Sequence, residues 1–208
     1  MSQITGIEFQ KKNKNRVNLY VDGEYLISLY AELVYKYNLS KGSEIDKEKL
    51  ADIIKSDDYE KAKIKALDGL SRAEKSEKRV REKLSREFDE EIVDSVVKFL
   101  KKHSFINDER FAERIVYNDQ NFKRVGRNRI KQNLYIKGIN SENIENALSN
   151  VDNEMEKENA VFLANKRIGR IKGKDEKNIK NKLYQYLIYK GFEYEVIMYA
   201  IEKVLGGE

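Results

Sequence analysis

The chain has 208 residues, 40% of them hydrophobic and 37% charged, with neither proline nor cysteine. Without cysteine it forms no disulfide, thiolate nucleophile or cysteine-held metal site. No apolar run approaches the ~20 residues of a membrane span and MSQITGIEFQKK lacks the apolar core of a signal peptide, so a cytoplasmic protein is expected; its net charge of +5 matters only where cations cluster.

Residues 1–57 read as a small α+β domain. Residues 4–10 look like a strand with Ile7 and Phe9 on one face, and 11–15 form a polar turn. Residues 16–21 alternate, Val17, Leu19 and Val21 pointing one way and Asn18 and Tyr20 the other. Asp22-Gly23 suits a type I′ turn, which needs positive φ at both centres, and residues 24–29 return. The expected sheet is a three-stranded antiparallel meander. Two short helices, near 30–37 and 46–56, flank a Ser40-Lys41-Gly42-Ser43 loop and cover one face, without which so small a sheet is marginal.

From Asp57 onward the pattern is helical and it repeats. With Leu84, Leu134 and Leu187 as anchors, Val80, Ile130 and Leu183 sit four residues earlier. The anchors are followed by Arg86-Glu87-Phe88, Lys137-Gly138-Ile139 and Lys190-Gly191-Phe192. Five residues past Phe88, Ile139 and Phe192 come Val93, Ile144 and Ile197. From these, offsets of 3, 4 and 7 give Val96/Ala147/Ala200, Val97/Leu148/Ile201 and Leu100/Val151/Val204, all apolar at helical spacing. Each unit is a helix, a tight turn and a second helix, with Gly138 and Gly191 where a helix ends in a left-handed residue. A less similar helix leads each pair, at 59–70, 108–123 and 154–172, with Asp57, Asn107 and Asn153 as expected N-caps. The fold class expected is mainly α. A β-containing N-terminal domain (1–57) precedes three tandem three-helix repeats (58–107, 108–152 and 153–208) in an elongated, curved array.

Few residues carry chemistry. The single histidine, His103, has no partners at metal-ligand or catalytic spacing and reads as a surface residue at a helix end. Gly169 to Asp175 hints at a phosphate loop, but it has three residues rather than four between its glycines, lacks the terminal Ser/Thr and follows a helix; a helix–helix linker fits better. No catalytic, cofactor or metal-binding residue is expected, and no enzyme. Basic residues do cluster. Lys123, Arg124, Arg127, Arg129, Lys131 and Lys137 lie in an acid-free stretch, as do Lys166, Arg167, Arg170, Lys172 and Lys174. Lys180, Lys182 and Lys190 extend the second, and Lys11, Lys12, Lys14 and Arg16 crowd the first hairpin turn. Tyr135, Tyr184, Tyr186 and Tyr189 interleave. Cations with aromatics suit an anionic partner such as nucleic acid, since phosphates drive binding and rings stack on bases.

Phe105-Ile106-Asn107-Asp108-Glu109-Arg110-Phe111-Ala112 resembles the "Gly-Tyr-Leu-Asn-Asp-Glu-Arg-Phe-Ala" signature of the RecX family of bacterial recombination regulators. Leu70-Ser71-Arg72, Lys75-Ser76-Glu77 and Lys83-Leu84 resemble its first-unit motif. Leu134-Tyr135-Ile136-Lys137-Gly138-Ile139 resembles the second, and the stretch from Lys182 to Phe192 the third. Ile4-Thr5, Ile7-Glu8 and Val21-Asp22-Gly23-Glu24-Tyr25 are similar to the N-terminal extension of members from Gram-positive bacteria of the Firmicutes type. Ala73 and Lys75 depart from the usual Pro and Arg, and the first unit lacks the Lys-Gly turn. The resemblance implies a non-catalytic protein that binds the RecA recombinase and its nucleoprotein filament; a monomer is expected. It implies inhibition of ATP hydrolysis and strand exchange, and so negative modulation of recombination and the SOS response. Single- or double-stranded DNA is a further candidate partner. The alternative class is a direct DNA-binding protein with helix-turn-helix-like repeats.

Overall fold

A computed structural model describes residues 2–171 and 175–206. Its N-terminal sheet holds β1 (Ser2–Phe9), β2 (Arg16–Val21), β3 (Glu24–Tyr30) and β4 (Glu44–Ile45), all antiparallel in the order β3-β2-β1-β4. The meander is as expected, and Asp22 and Gly23 both take positive φ (52° and 89°) at its tight turn. The two-residue β4 is an addition. The loop before it folds back on β1, Gly42 N–H donating to the Ile4 carbonyl at 2.7 Å. Ile7 and Phe9 share a face of β1 as expected, opposite Leu19 and Val17 of β2, and Ile7 packs against the core. An irregularity between Ile4 and Gly6 brings Ile4, opposite Val21, onto that same face; Ile4 is fully buried, whereas Phe9, the last residue of the strand, is 64% exposed. Val17, Leu19 and Leu29 complete the sheet's inner face. Against them pack Leu33 of α1 (Ala31–Lys36) and Ile53 of α2 (Lys47–Arg72).

The expected helices at 46–56 and 59–70 are one. The 26-residue α2 runs through both and through the 57/58 boundary, capped by Asp46, whose carboxylate accepts Lys49 N–H at 2.7 Å. Neither Gly nor Pro interrupts residues 47–68, so propagation is continuous. Asp57 is therefore not an N-cap. Its buried carboxylate accepts Tyr30 N–H at 2.9 Å and pairs with Arg16 at 3.2 Å and Lys61 at 2.8 Å. Through it α2 closes the outer edge of β3, where Arg16 also bonds the Ser28 carbonyl at 2.6 Å. An open strand edge is a template for aggregation.

The chain divides into two compact units. One contains Ala73 and the residues before it with Val80–Phe105, the other Glu74–Arg79 with the residues from Ile106 onward. In the first, α4 (Glu90–Lys102) packs Val93, Val96, Val97 and Leu100 inward, beside the buried Val80 and Leu84 of α3 (Glu77–Leu84). In the second, α5 (Asp108–Asn121), α6 (Arg127–Lys137) and α7 (Ser141–Ser149) form one repeat. The next is α8 (Asn153–Ile168), α9 (Glu176–Tyr189) and α10 (Tyr194–Leu205). Asn107 caps α5 as expected, but Asp152, not Asn153, caps α8. The helices α5 and α8 also stop two and four residues short of the expected ends. After α5 the chain turns through Arg124, whose φ of 51° is left-handed.

The register of the repeat holds. Leu84, Leu134 and Leu187 are all fully buried, as are Leu183, Val96 and Ala200, with Val80 and Ile130 nearly so. Phe88, Leu148 and Val204 are only half-buried.

Candidate partner-binding face

The second unit contains two junctions at which the start of one middle helix meets the turn of the next repeat. At the first, Ser76 Oγ donates to the Lys137 carbonyl and the Arg79 guanidinium to the Ile136 carbonyl, both at 2.7 Å. At the second, Gly126 N–H donates to the Lys190 carbonyl and Asn128 N–H to the Gly191 carbonyl, both at 3.0 Å. Ser76 and Gly126 both lie eight residues before their anchor leucines, so the two junctions are equivalent in register. The close approach explains the glycines more fully than helix termination does. Gly138 and Gly191 have φ of 83° and 89°. In addition, a Cβ on Gly138 would fall 2.9 Å from Ser76 Oγ, and one on Gly191 would fall 2.4 Å from the backbone nitrogen of Arg129. The first repeat has no repeat before it and no glycine in its turn.

Buried acids lock the second junction. Glu156 of α8, 4% exposed, accepts Arg127 N–H at 2.7 Å and faces the Arg127 guanidinium at 3.7 Å, which also donates to Asn153 Oδ1 at 2.6 Å. Burial pushes its carboxyl pKa up, opposed by the Arg127 hydrogen bonds and charge and reinforced by nearby Glu193. Asp119, fully buried, takes Asn133 Nδ2 and Lys123 Nζ, both at 2.6 Å. Gln120 donates to the Asp152 carbonyl at 2.6 Å and accepts from Asn159 Nδ2 through its own carbonyl at 2.8 Å, tying α5 to α8.

The cationic candidates therefore divide. Arg127 and Lys123 are committed to buried carboxylates, although the Lys123 side chain stays 63% exposed. Arg124 is half-buried and lies over the Phe162 ring, 3.8 Å from its centroid, and Arg167 lies 5.1 Å from the Tyr186 centroid. Arg129, Lys131 and Lys137 on α6, and Lys166 and Arg170 around the end of α8, are exposed. Lys172 and Lys174 lie outside the described residues, as does the middle of the linker from Gly169 to Asp175. Lys11, Lys12 and Lys14 are exposed, whereas Arg16 is half-buried on Asp57. Of the tyrosines, Tyr135 and Tyr189 are exposed and Tyr184 and Tyr186 half-buried. His103 is exposed at the end of α4, its ring 4.5 Å from that of Phe99. Among the described residues no group of three or more His, Cys, Asp or Glu side chains is placed to hold a metal ion, and no helix is long and apolar enough to cross a membrane.

Four family models match the chain in order. They are the N-terminal domain of regulatory protein RecX over residues 2–46 and its first, second and third three-helix domains over 62–100, 107–148 and 154–201. The chain belongs to the RecX family. The regulatory protein RecX of Clostridioides difficile (strain 630) is 49% identical over 205 residues, covering 99% of this chain and 97% of that protein. RecX of Clostridium beijerinckii is 43% identical over 208 residues, with the same coverage of each. A crystal structure of regulatory protein RecX superposes with a TM-score of 0.77 at 31% identity, covering both chains fully. That of RecX from Lactobacillus salivarius gives 0.68 at 33% identity over 72% of this chain and 97% of the other. The long α2 spans the gap between the RecX N-terminal and first three-helix matches.

Proposed function

We propose that this chain binds the RecA recombinase and its nucleoprotein filament and inhibits ATP hydrolysis, strand exchange and filament growth. In this role it acts as a non-catalytic negative modulator of recombination and the SOS response. The observation that carries the reading is the RecX match, in order and over nearly the whole chain, to proteins named regulatory. A filament presents the same surface many times, and a protein of tandem repeats meets it with more than one contact. Once one contact forms, the next is governed by effective concentration, so individually weak contacts accumulate.

Direct binding to DNA is the second reading. Arg129, Lys131 and Lys137 favour it, being exposed on one short helix without acids. The two readings separate in one assay, single-stranded-DNA-dependent ATP hydrolysis by the cognate recombinase with and without this protein, beside its binding to bare DNA across a salt series. Inhibition at salt concentrations where bare DNA is not bound supports the recombinase as the target. Inhibition that tracks bare-DNA binding, both falling steeply with salt, supports DNA.

A further inference from the structure

Each junction in the second unit carries an exposed apolar pair immediately before its lysine-glycine turn. At the first the pair is Tyr135 and Ile136, 52% and 64% exposed; at the second it is Ile188 and Tyr189, 45% and 70% exposed. The order is swapped but the composition is the same, one aliphatic and one aromatic side chain. The first repeat has Ser85 and Arg86 at these positions. Scattered surface apolar residues need no explanation, but four at equivalent positions of two successive repeats form a pattern that marks an interaction site. No structural demand accounts for them, because the bonds closing each junction use the backbone carbonyls of residues 136, 137, 190 and 191 and not these side chains.

The surroundings specify the partner. α6 has no acidic residue, and α9 has none after Glu176, whereas α3 contains Glu77 and Glu82. Lys131 and Lys137 flank the first pair and Lys190 the second. A nucleic acid would use the tyrosines and lysines but gain nothing from exposed isoleucines, since stacking needs a flat ring. Aliphatic and aromatic anchors edged by cations fit instead a protein surface with an apolar centre and an acidic rim. From Arg129, where Gly191 abuts α6, to Ile136 is seven residues, about 10 Å of helix, so a single protein subunit can cover both pairs.

We infer that the two Tyr/Ile pairs are the anchors by which this chain docks on an acidic, apolar-centred face of a protein subunit, which, on the reading proposed above, is a subunit of the recombinase filament. The test uses the full-length chain and a fluorescent recombinase filament assembled on a single-stranded oligonucleotide. The variants are Tyr135→Ser with Ile136→Ser, Ile188→Ser with Tyr189→Ser, and all four together; Phe9→Ser, an equally exposed site on the sheet, is the control. Each double variant is expected to bind about ten-fold more weakly and the quadruple more than a hundred-fold, while Phe9→Ser and the helical circular dichroism of all variants match the parent. If the parent binds the filament and the quadruple variant binds equally well, the anchors lie elsewhere and only this inference falls. Loss of binding to the bare oligonucleotide in the same proportion also overturns it, by assigning the pairs to nucleic acid. If the parent does not bind the filament at all, the recombinase reading falls and takes the inference with it.

Discussion

Three glycines separate the two reasons a glycine is needed here. Gly23 has φ of 89° and nothing within 4 Å of an added Cβ, so Gly23→Ala carries only the left-handed penalty, about 1–2 kcal/mol. Gly126 has an ordinary φ of −77°, but its Cβ would lie 2.5 Å from the Gly191 carbonyl carbon and oxygen and from Phe192 Cα. Those are backbone atoms that no rotamer change can move. The turn must retreat, straining or breaking the Gly126-to-Lys190 and Asn128-to-Gly191 hydrogen bonds, each worth about 1 kcal/mol, on top of about 1–3 kcal/mol of overpacking. Stiffening of the unfolded chain offsets roughly 0.4–1 kcal/mol, leaving about 2–4 kcal/mol for Gly126→Ala. Gly191→Ala carries both penalties, because its Cβ also meets Arg129, and is expected to be the most damaging of the three. Urea denaturation followed by circular dichroism measures all three. A Gly126→Ala protein as stable as the parent, or a Gly23→Ala protein as damaged as Gly191→Ala, would refute the tight junction.

Truncating Leu84, Leu134 or Leu187 to Ala should cost roughly 2–5 kcal/mol, with Leu134 worst because its repeat has a neighbour on each side in sequence; a cost below about 0.5 kcal/mol at Leu134, read from denaturation midpoints, contradicts the register. Reversing Lys131 and Lys137 to Glu should leave the melting temperature nearly unchanged, whereas Arg127→Glu sets a carboxylate against buried Glu156 and should cost roughly 2–4 kcal/mol; equal effects would show that Arg127 is not committed to the junction. Glu156 has a raised pKa, so the folded protein holds its proton more tightly than the unfolded chain does. Its contribution to stability is therefore full below the ordinary carboxylate range and is lost as pH rises through the raised folded value. Glu156→Gln should flatten that decline in a series of denaturation curves from acid to neutral pH, and an unchanged slope would assign it to other groups.

Much of the architecture is written in local pattern. Apolar spacing about three leucines finds the helix pairs because burial at 3.6-residue periodicity leaves a direct record, and Asp22-Gly23 fixes a hairpin because few residues tolerate its φ values. What escaped is non-local. Asp57 has the chemistry of an N-cap, but its partners are Tyr30 and Arg16, 27 and 41 residues away, so the helix passes straight through it. Phe9 looks like core and does lie opposite the buried Val17, but it ends the strand and is left exposed. Basic clustering selects cations without showing which of them are occupied. Arg127 and Lys123 look like their neighbours in sequence, and only the fold brings Glu156 and Asp119 to them. The Lys-Gly turns were legible as helix ends. That they also receive the preceding repeat was not, because Ser76 and Gly126 are unremarkable until packed.

The proposed regulation of a recombinase is tested most directly by a titration. Single-stranded-DNA-dependent ATP hydrolysis by the cognate recombinase is followed as this protein is added from far below to several-fold above one copy per recombinase subunit. Strong inhibition well before one per subunit is expected if, as proposed, one bound copy acts on many subunits of a filament. Undiminished hydrolysis at several-fold excess would contradict it.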